Sequence, residues 1–540
     1  MRRAAARPRS GCPALRLAAR LHITSDWGKA VNLASDLERH AAERPAHAAV
    51  LFEGRRLSYA ELDAAASRLA QGLRTRGIAA GDRVALYLPN IPAYLVAYYA
   101  AQKLGAITVS INAVFRSAEV EFLLADSGAR VVFTVAELVP FVPPVRGGRT
   151  PALEQVVVCE GEAPAGGARL EAWSAGFEPS FAGVDCAPET PAALLYSSGT
   201  TGFPKGVTLT QSNIASNIAS AARCSGYRPD DRLAAFLPLF HVYGQNYIMN
   251  AAVHAGATLA LFRRYVPEQV LEAVGRERIT MFFGVPTIFI GLLAMDLGRY
   301  DLSSIRYEMS AAATMPEEIS RRWTERFGRR VYEGYGLTEC SPFACYNDRV
   351  EHRFGSVGRA IEGFELAIFD EAERELPRGQ WGEIVIRGPG VMQGYWRRPD
   401  DSAQALRGGW LHSGDIGRMD DDGYVYIVDR VKDMINVAGF KVWPAELEQY
   451  LYRLPGVQEV AVYGAPDPER GEQVVAAVVP RSGSAVDAAE VIAYCRANIA
   501  AYKVPARVDI VAELPKSATG KILKRVLREQ AAGAAACARA

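Results

Sequence analysis

Short apolar runs alternate with helix-like patterns along most of the chain. RVALYLP (83–89), AITVSIN (106–112) and RLAAFLP (232–238) are typical of strands that are buried inside a sheet. Helical patterns lie between such runs, as βαβ units require when parallel strands are joined by crossover helices. The alternation therefore predicts mainly parallel sheets covered by helices, which is an α/β fold.

The segment that follows residue 57 shows the clearest helical pattern. Ser58 and Glu61 have the spacing of a capping box, in which each side chain binds a backbone N–H of the first turn. Leu62, Leu69 and Leu73 then recur on one face of the predicted helix. Such a repeat on one face is typical of an amphipathic helix.

The pattern changes near residue 361. FELAIFD (364–370), GEIVIRG (382–388) and a hairpin signal at Asp422-Gly423 predict a small antiparallel, barrel-like unit. A helix that starts at Pro444 and two later strands predict a separate α+β module. The predicted organisation is an extension over 1–28 that is disordered or targeting-like, a large domain over 29–429, a small mobile domain over 430–528, and a frayed tail over 529–540.

Composition excludes several classes of protein. Lys and Arg total 61 against 60 acidic residues, so the chain carries no broad basic field for nucleic acid. Its eight cysteines form no CxxC pair, which argues against a disulfide scaffold or zinc site and favours the cytoplasm. The long apolar stretch over 94–115 includes Lys103 and many small residues, and it predicts buried structure rather than a transmembrane segment.

The first 25 residues contain six arginines and no acidic residue. An organellar transit peptide has this composition. A disordered extension, or a start codon placed too early, would give the same composition, and the sequence leaves these alternatives open.

The stretch YSSGTTGFPKGV (196–207) is the first candidate for chemistry. It is not a Walker A loop, because Lys205 follows Gly202 by three residues and is followed by Gly206 rather than by Ser or Thr. Backbone N–H groups, four hydroxyls and one lysine can still surround a polyanion. Taken alone, the stretch is equally compatible with a plain polar loop.

Five further motifs follow in order: LPLFHVYG (237–244), YEGYGLTE (332–339), GWLHSGDIG (409–417), DRVKDMINVAGFKVWPAELE (429–448) and PKSATGKILKR (515–525). Together with the first loop they resemble the adenylate-forming superfamily of acyl-CoA synthetases, firefly luciferase and nonribosomal adenylation domains. The resemblance covers about residues 30 to 528 and is strongest to AMP-forming ligases for medium- and long-chain fatty acids. It implies that Mg-ATP activates a carboxylic acid to acyl-AMP and pyrophosphate, and that CoA then forms the thioester.

The resemblance also implies roles for individual residues. The β- and γ-phosphates would be held by Ser197, Ser198, Gly199, Thr200, Thr201, Gly202, Lys205 and Thr338. Glu339 would bind Mg²⁺, and the catalytic set would be Lys521, Glu339, His241 and Thr200. A single carboxylate suffices for Mg²⁺ when phosphate oxygens and water complete its coordination.

Further roles concern the rest of ATP, the acid and CoA. Adenine and ribose would contact Ala312, Ala313, Tyr335, Gly336, Asp415 and Arg430. The acyl pocket would include His241, Val242, Gly284 and Gly334, the hinge would be Lys432, and the CoA tunnel would include Ala438, Gly439 and Phe440. The segment SAAAT (310–314) departs from the commoner family pattern SGAAP at Ala311 and Thr314.

The substrate class is inferred from what the motifs lack and from one apolar segment. LPLFHVYGQNYIMN lacks the aspartate with which amino-acid-activating relatives hold the substrate amine, and TMFFGVPTIFIGLL (280–293) could line an acyl tunnel or simply be core. A fatty-acid–CoA ligase is therefore expected. An aryl or cyclic acid, or transfer of the acyl group to a carrier protein, is the alternative. The small-molecule acid, ATP and CoA are the expected partners, and a homodimer is compatible with the sequence.

Overall fold

The structure is a computed structural model that describes residues 32–164, 167–197, 204–430, 433–467 and 469–537. Several predictions fall outside these residues: the extension over 1–28, the phosphate-loop positions Ser198 to Gly202, and Lys432 at the predicted hinge. The remaining candidate residues are described.

The strands in chain order are β1 (Ala48–Phe52), β2 (Arg55–Ser58), β3 (Arg83–Leu86), β4 (Ile107–Ser110), β5 (Val131–Thr134), β6 (Gln155–Val158), β7 (Ala168–Arg169), β8 (Pro191–Ser197), β9 (Lys205–Thr210), β10 (Arg232–Ala235), β11 (Thr258–Leu261), β12 (Met281–Gly284), β13 (Tyr307–Ser310), β14 (Val331–Tyr335), β15 (Cys345–Tyr346), β16 (Arg359–Ala360), β17 (Glu365–Phe369), β18 (Gly382–Arg387), β19 (Gly394–Tyr395), β20 (Leu411–Met419), β21 (Val425–Arg430), β22 (Ile435–Val437), β23 (Phe440–Val442), β24 (Val457–Asp467), β25 (Gly471–Pro480) and β26 (Arg507–Ile510).

The helices are α1 (Ser35–Glu43), α2 (Tyr59–Thr75), α3 (Pro92–Lys103), α4 (Ser117–Ser127), α5 (Leu170–Ser174), α6 (Gln211–Ser225), α7 (Ala251–Ala255), α8 (Pro267–Glu277), α9 (Pro286–Leu293), α10 (Glu317–Phe327), α11 (Pro399–Ala405), α12 (Pro444–Leu451), α13 (Ala488–Asn498) and α14 (Lys524–Cys537). A π-helical segment spans Tyr243–Asn250. Short 3₁₀ turns span Ala136–Phe141, Leu297–Arg299, Thr338–Cys340, Arg407–Gly409 and Ala501–Lys503.

Two large sheets form the framework of the N-terminal domain. One has nine strands in the order β16-β15-β14-β13-β12-β10-β11-β1-β2, and the other has eight in the order β19-β9-β8-β4-β3-β5-β6-β7. Most neighbouring strands in both sheets are parallel, and antiparallel pairs occur towards the edges. The predicted α/β fold with mainly parallel sheets is confirmed. Its central strands are apolar, as is typical of parallel strands that are buried on both faces.

Local sequence signals account for several element boundaries. The hydroxyl of Ser58 accepts the backbone N–H of Glu61 while the Glu61 carboxylate accepts that of Ser58, which confirms the predicted capping box at the start of α2. Pro444 occupies the first position of α12, also as predicted. Leu62, Leu69 and Leu73 on α2 are fully buried.

Two smaller sheets follow. An antiparallel sheet has the order β17-β18-β20-β21, and the turn that contains Asp422-Gly423 joins its last two strands. A smaller C-terminal domain contains a five-stranded sheet, in which β22 to β25 pair antiparallel and β26 adds a parallel strand. Among the described residues, none of the helices combines the length and apolar character needed to cross a membrane.

Candidate active site

The candidate site lies where β13 and β14 end. These neighbouring strands are parallel, so the loops that follow Ser310 and Tyr335 leave the sheet at the same edge. A cavity of about 50 Å³ opens there, and the predicted acyl-pocket residues His241, Val242 and Gly334 line it. Part of the predicted acyl pocket and part of the predicted nucleotide site, Tyr335 and Thr338 among them, thus meet at one cavity.

The carboxylate of Glu339 lies beside Ser197, at the end of β8. Its Oε1 accepts a hydrogen bond from the Ser197 hydroxyl at 3.1 Å and another from the Tyr395 hydroxyl at 3.0 Å, and the residue is buried. Lys205 places its Nζ 2.6 Å from the Asp401 carboxylate and over the Tyr395 ring. Charged and hydroxyl groups from distant parts of the chain therefore converge at the ends of β8 and β9, which flank the undescribed loop.

Asp415 and Arg430 face each other as cross-strand partners on β20 and β21. Arg430 Nε lies 3.2 Å from one oxygen of Asp415, and the Tyr335 hydroxyl donates to the other oxygen at 2.7 Å. Both oxygens of this buried carboxylate are thus engaged, and the contact joins the antiparallel sheet to the end of β14. The structure brings these three predicted nucleotide contacts together.

The loop that carries Lys521 rests on the large domain. The Thr287 hydroxyl, in the first turn of α9, donates to the Gly520 carbonyl at 2.8 Å. Elsewhere between the two domains, the backbone N–H of Glu317 donates to the Gln449 side chain at 2.9 Å. A side chain at position 520 would press on Val285, because an added Cβ would come within 3.0 Å of that residue. Glycine therefore permits the close approach.

His241 lies near Lys521 and is neutral at physiological pH. Burial, and after it the positive charge of Lys521, lowers the pKa of the imidazole to about 4. The Nδ1 atom accepts the backbone N–H of Tyr243 at 3.2 Å, so the ring proton sits on Nε2. His241 can therefore donate a hydrogen bond into the site but cannot serve there as a cation near pH 7.

This lowered pKa predicts a pH effect on stability. The unfolded chain, with an ordinary histidine pKa of 6.5, binds a proton before the folded chain does, so unfolding is favoured as the pH falls from about 7 to about 5. His241→Gln removes this contribution, and the fall in Tm across that interval should be smaller in the variant than in the wild type. Calorimetry at the two pH values measures the difference. An equal fall in both proteins would contradict the lowered pKa.

Some predicted residues are not at the cavity. Gly284 ends β12, where an added Cβ would meet the Phe289 ring at 2.9 Å, and it is absent from the cavity lining that the structure describes. Ala438, Gly439 and Phe440 are exposed on the small domain, and nothing described lies within 4 Å of a Cβ added at Gly439. None of these predicted CoA-tunnel residues lines either of the described cavities.

Other residues at the site were missed by the sequence prediction. Tyr243, Tyr247 and Phe343 line the cavity, while Tyr395 and Asp401 contact Glu339 and Lys205. Tyr243 belongs to the same motif as His241, and its place in that motif could have indicated a role in the cavity wall. Nothing in the local sequence around residues 395 and 401 indicates chemistry.

The backbone next to the cavity is closely packed and leaves no room for a side chain at Gly336. An added Cβ at Gly336 would lie 1.6 Å from the Pro342 carbonyl oxygen, so only glycine fits there. In SAAAT, the residue with positive φ is Ala312, at 68°, and both Ala311 and Ala312 line the cavity. The departure at Ala311 therefore places its methyl group in the cavity wall.

Comparison with known proteins identifies the family to which the chain belongs. The family model of AMP-binding enzymes matches residues 37–396, and that of the AMP-binding enzyme C-terminal domain matches residues 446–521. The chain belongs to the AMP-binding enzyme family. This AMP-binding enzyme is thus a member of the adenylate-forming superfamily, as its motifs suggested.

Individual relatives cover nearly the whole chain. This AMP-binding enzyme is 39% identical to a feruloyl-CoA synthase of Amycolatopsis sp over 91% of its own length and 97% of the relative. It is 34% identical to a long-chain-fatty-acid–CoA ligase of Bacillus subtilis (strain 168), over 92% and 94% of the two chains. The solved anthranilate CoA ligase AuaEII, in complex with anthranoyl-AMP, has a TM-score of 0.89 and 31% identity over 95% and 99% of the chains. These findings support an acyl- or aryl-CoA ligase.

Proposed function

We propose that this enzyme is an ATP-dependent, AMP-forming CoA ligase whose acid substrate is aromatic. The observation that carries the choice of acid is the cavity beside His241. Its volume is about 50 Å³, and Tyr243, Tyr247 and Phe343 are among the residues that close it. The rings of Tyr247 and Phe343 pack edge to face with centroids 4.9 Å apart. A short cavity with aromatic walls favours a flat ring over a long flexible chain.

The segment expected to line an acyl tunnel supports the same choice. Residues 281–284 form β12 and 286–293 form α9, and Phe289, Ile290 and Leu292 are buried in the hydrophobic core. Within 280–293, only Val285 reaches the wall of a described cavity. Most of this apolar run therefore belongs to the hydrophobic core.

A medium- or long-chain fatty acid is the second candidate. The Bacillus subtilis relative is a long-chain-fatty-acid–CoA ligase, and the chain matches it along nearly its full length. Bending or displacement of the side chains around Tyr247 would be required to admit a long chain. A fatty-acid substrate therefore requires the inner wall of the cavity to move, whereas an aromatic acid does not.

The proposed roles of the charged residues follow their positions. Lys521 lies next to His241 when the small domain is docked, where its ammonium would neutralise the carboxylate and the α-phosphate as they approach. Asp415 would accept hydrogen bonds from the ribose hydroxyls, with Arg430 beside it. Lys205 would leave Asp401 for the β- and γ-phosphates, which the neighbouring loop would also bind.

The described residues fit a magnesium ion only together with substrate. Among them, no group of three or more His, Cys, Asp or Glu side chains could hold a metal. Glu339 supplies one buried carboxylate beside Ser197, and Mg²⁺ commonly binds one or two carboxylates plus phosphate oxygens and water. Glu339 would therefore hold Mg²⁺ through the phosphates of ATP, where the ion would offset their negative charge.

CoA would react after the small domain has turned about Lys432. Gly439 has a φ of +91° and is exposed together with Ala438 and Phe440. The tight turn that these residues form is therefore available to contact the large domain after the rotation. The proposal assigns these residues to the wall of the pantetheine tunnel. His241 would separate the acid site from that tunnel.

A panel of acids distinguishes the two substrate candidates. Benzoic, cinnamic, hexanoic and decanoic acids are compared by kcat/KM, with pyrophosphate and AMP measured as products. We expect turnover of the aromatic acids and weak use of decanoic acid, because a cavity of about 50 Å³ cannot bury its chain. For a fatty-acid ligase, each added CH₂ would instead raise kcat/KM about fourfold. ADP as the product would exclude both candidates.

A further inference from the structure

Lys205, the cation that the proposed function assigns to the phosphates of ATP, already has a counter-charge in the structure. Its Nζ lies 2.6 Å from the Asp401 carboxylate and 5.2 Å from the centroid of the Tyr395 ring. The Tyr395 hydroxyl in turn donates to Glu339 at 3.0 Å. Asp401 therefore holds Lys205 within the group of side chains to which the phosphates and Mg²⁺ are assigned.

The two members of this ion pair differ in how much they need a partner. The Lys205 side chain is 15% exposed, whereas that of Asp401 is 32% exposed. A charge that is largely withdrawn from water is costly when no opposite charge lies beside it. Asp401 also lies in the first turn of α11, where the backbone N–H groups of a helix favour an acidic side chain. Asp401 can therefore lose the lysine at a smaller cost than Lys205 can lose its anion.

A bound phosphate would bring a second anion to Lys205. The ammonium has three N–H donors and can reach more than one acceptor. A carboxylate and a phosphate on the same nitrogen, however, repel each other as like charges at short range. The contact between Lys205 and Asp401 must therefore weaken when a phosphate binds, and it re-forms when the phosphate leaves.

We propose that Asp401 is an exchangeable counter-ion, which competes with the phosphates for Lys205 and thereby lowers the affinity of the enzyme for pyrophosphate. The inference rests on the proposed function and names a residue that controls the release of its first product. Asp401 acts through Lys205 rather than on a substrate, so it is a positioning residue. Pyrophosphate is held less tightly because Lys205 has another anion to which it can return.

Equilibrium binding of magnesium pyrophosphate to the full chain tests this inference, and calorimetric titration measures it without any acid substrate. Asp401→Asn keeps the shape of the side chain and an oxygen for Lys205, but it removes the competing charge. Its dissociation constant for pyrophosphate should be roughly tenfold lower than that of the wild type, the factor expected for one hydrogen bond to a charged group. A merely structural role predicts the opposite sign, because a displaced Lys205 would bind pyrophosphate more weakly.

Asp400→Asn is the matched control. Asp400 precedes Asp401 in the same turn and is exposed, so its loss changes the local charge equally. It should alter the dissociation constant by less than about twofold, as is usual for an exposed charge. In a Lys205→Met background, Asp401→Asn should have no further effect, because the group for which it competes is gone.

Three results would overturn the inference alone: an unchanged or higher dissociation constant in Asp401→Asn, an equal gain in Asp400→Asn, or a gain that persists without Lys205. Release of pyrophosphate by the wild type in the presence of ATP and each acid is measured separately. If no acid supported that release, the proposed function would fall together with the inference.

Discussion

Lys521→Ala should abolish acyl-AMP formation and spare thioester formation from acyl-AMP that is supplied ready-made. The docked loop brings Lys521 near His241, and the proposal assigns its charge to the first half-reaction alone. Removing one preorganised charged contact of this kind costs about 10²- to 10³-fold in rate. Single-turnover measurements with radiolabelled acid, which quantify acyl-AMP and acyl-CoA separately, give the two rates.

Lys516→Ala is the control for this prediction. Lys516 belongs to the same loop, but its ammonium pairs with Glu459 at 2.8 Å within the small domain. Its loss changes the net charge of the loop equally and should leave the first half-reaction nearly intact. If Lys521→Ala slowed both half-reactions to the same extent, the proposal that Lys521 acts only in adenylation would be wrong.

Glu339→Gln should lower the rate of adenylation by about 10²- to 10³-fold and raise the Mg²⁺ concentration needed for half-maximal velocity. The substitution keeps the size of the side chain and an oxygen that can accept from Ser197 and Tyr395. It removes the negative charge that the proposal assigns to magnesium. Initial rates of pyrophosphate release across a magnesium titration, together with Tm, measure the effect.

Tyr395→Phe separates charge from hydrogen bonding at this carboxylate. It removes one donor to Glu339 and leaves the charge in place. We expect it to slow adenylation by about 10- to 100-fold, since one hydrogen bond to a charged group is worth about 1.5–3 kcal/mol. A magnesium dependence in Glu339→Gln that matches the wild type would show that Glu339 acts in another way.

The sequence predicted the fold because its signals are local and repeated. Strands buried on both faces read as continuous apolar runs, and the capping box at Ser58 and the proline at 444 mark helix starts by chemistry that acts within a single turn. Motif order then indicated which residues would meet at the site. The contact between Ser197 and Glu339, which are 142 positions apart, could be inferred only through the resemblance.

The inner wall of the cavity was beyond sequence reasoning. An apolar run such as 280–293 shows that a segment is buried, but it does not show whether the segment faces a ligand or the core. Here α9 packs into the core. The position of the Tyr243 ring depends on how it packs against Tyr247, and side-chain orientation in a folded protein has no sequence pattern of its own.

The contact between Thr287 and Gly520 also affects how tightly the substrates bind. It is a hydrogen bond from one side chain to one backbone carbonyl, a kind of contact worth about a kilocalorie per mole in water. A ligand that touches Lys521 and the large domain together binds only the closed arrangement, so its apparent dissociation constant is its intrinsic value divided by the closed fraction. ATP and the acid would then each increase that fraction for the other. The two substrates should bind with positive cooperativity, even where they do not touch.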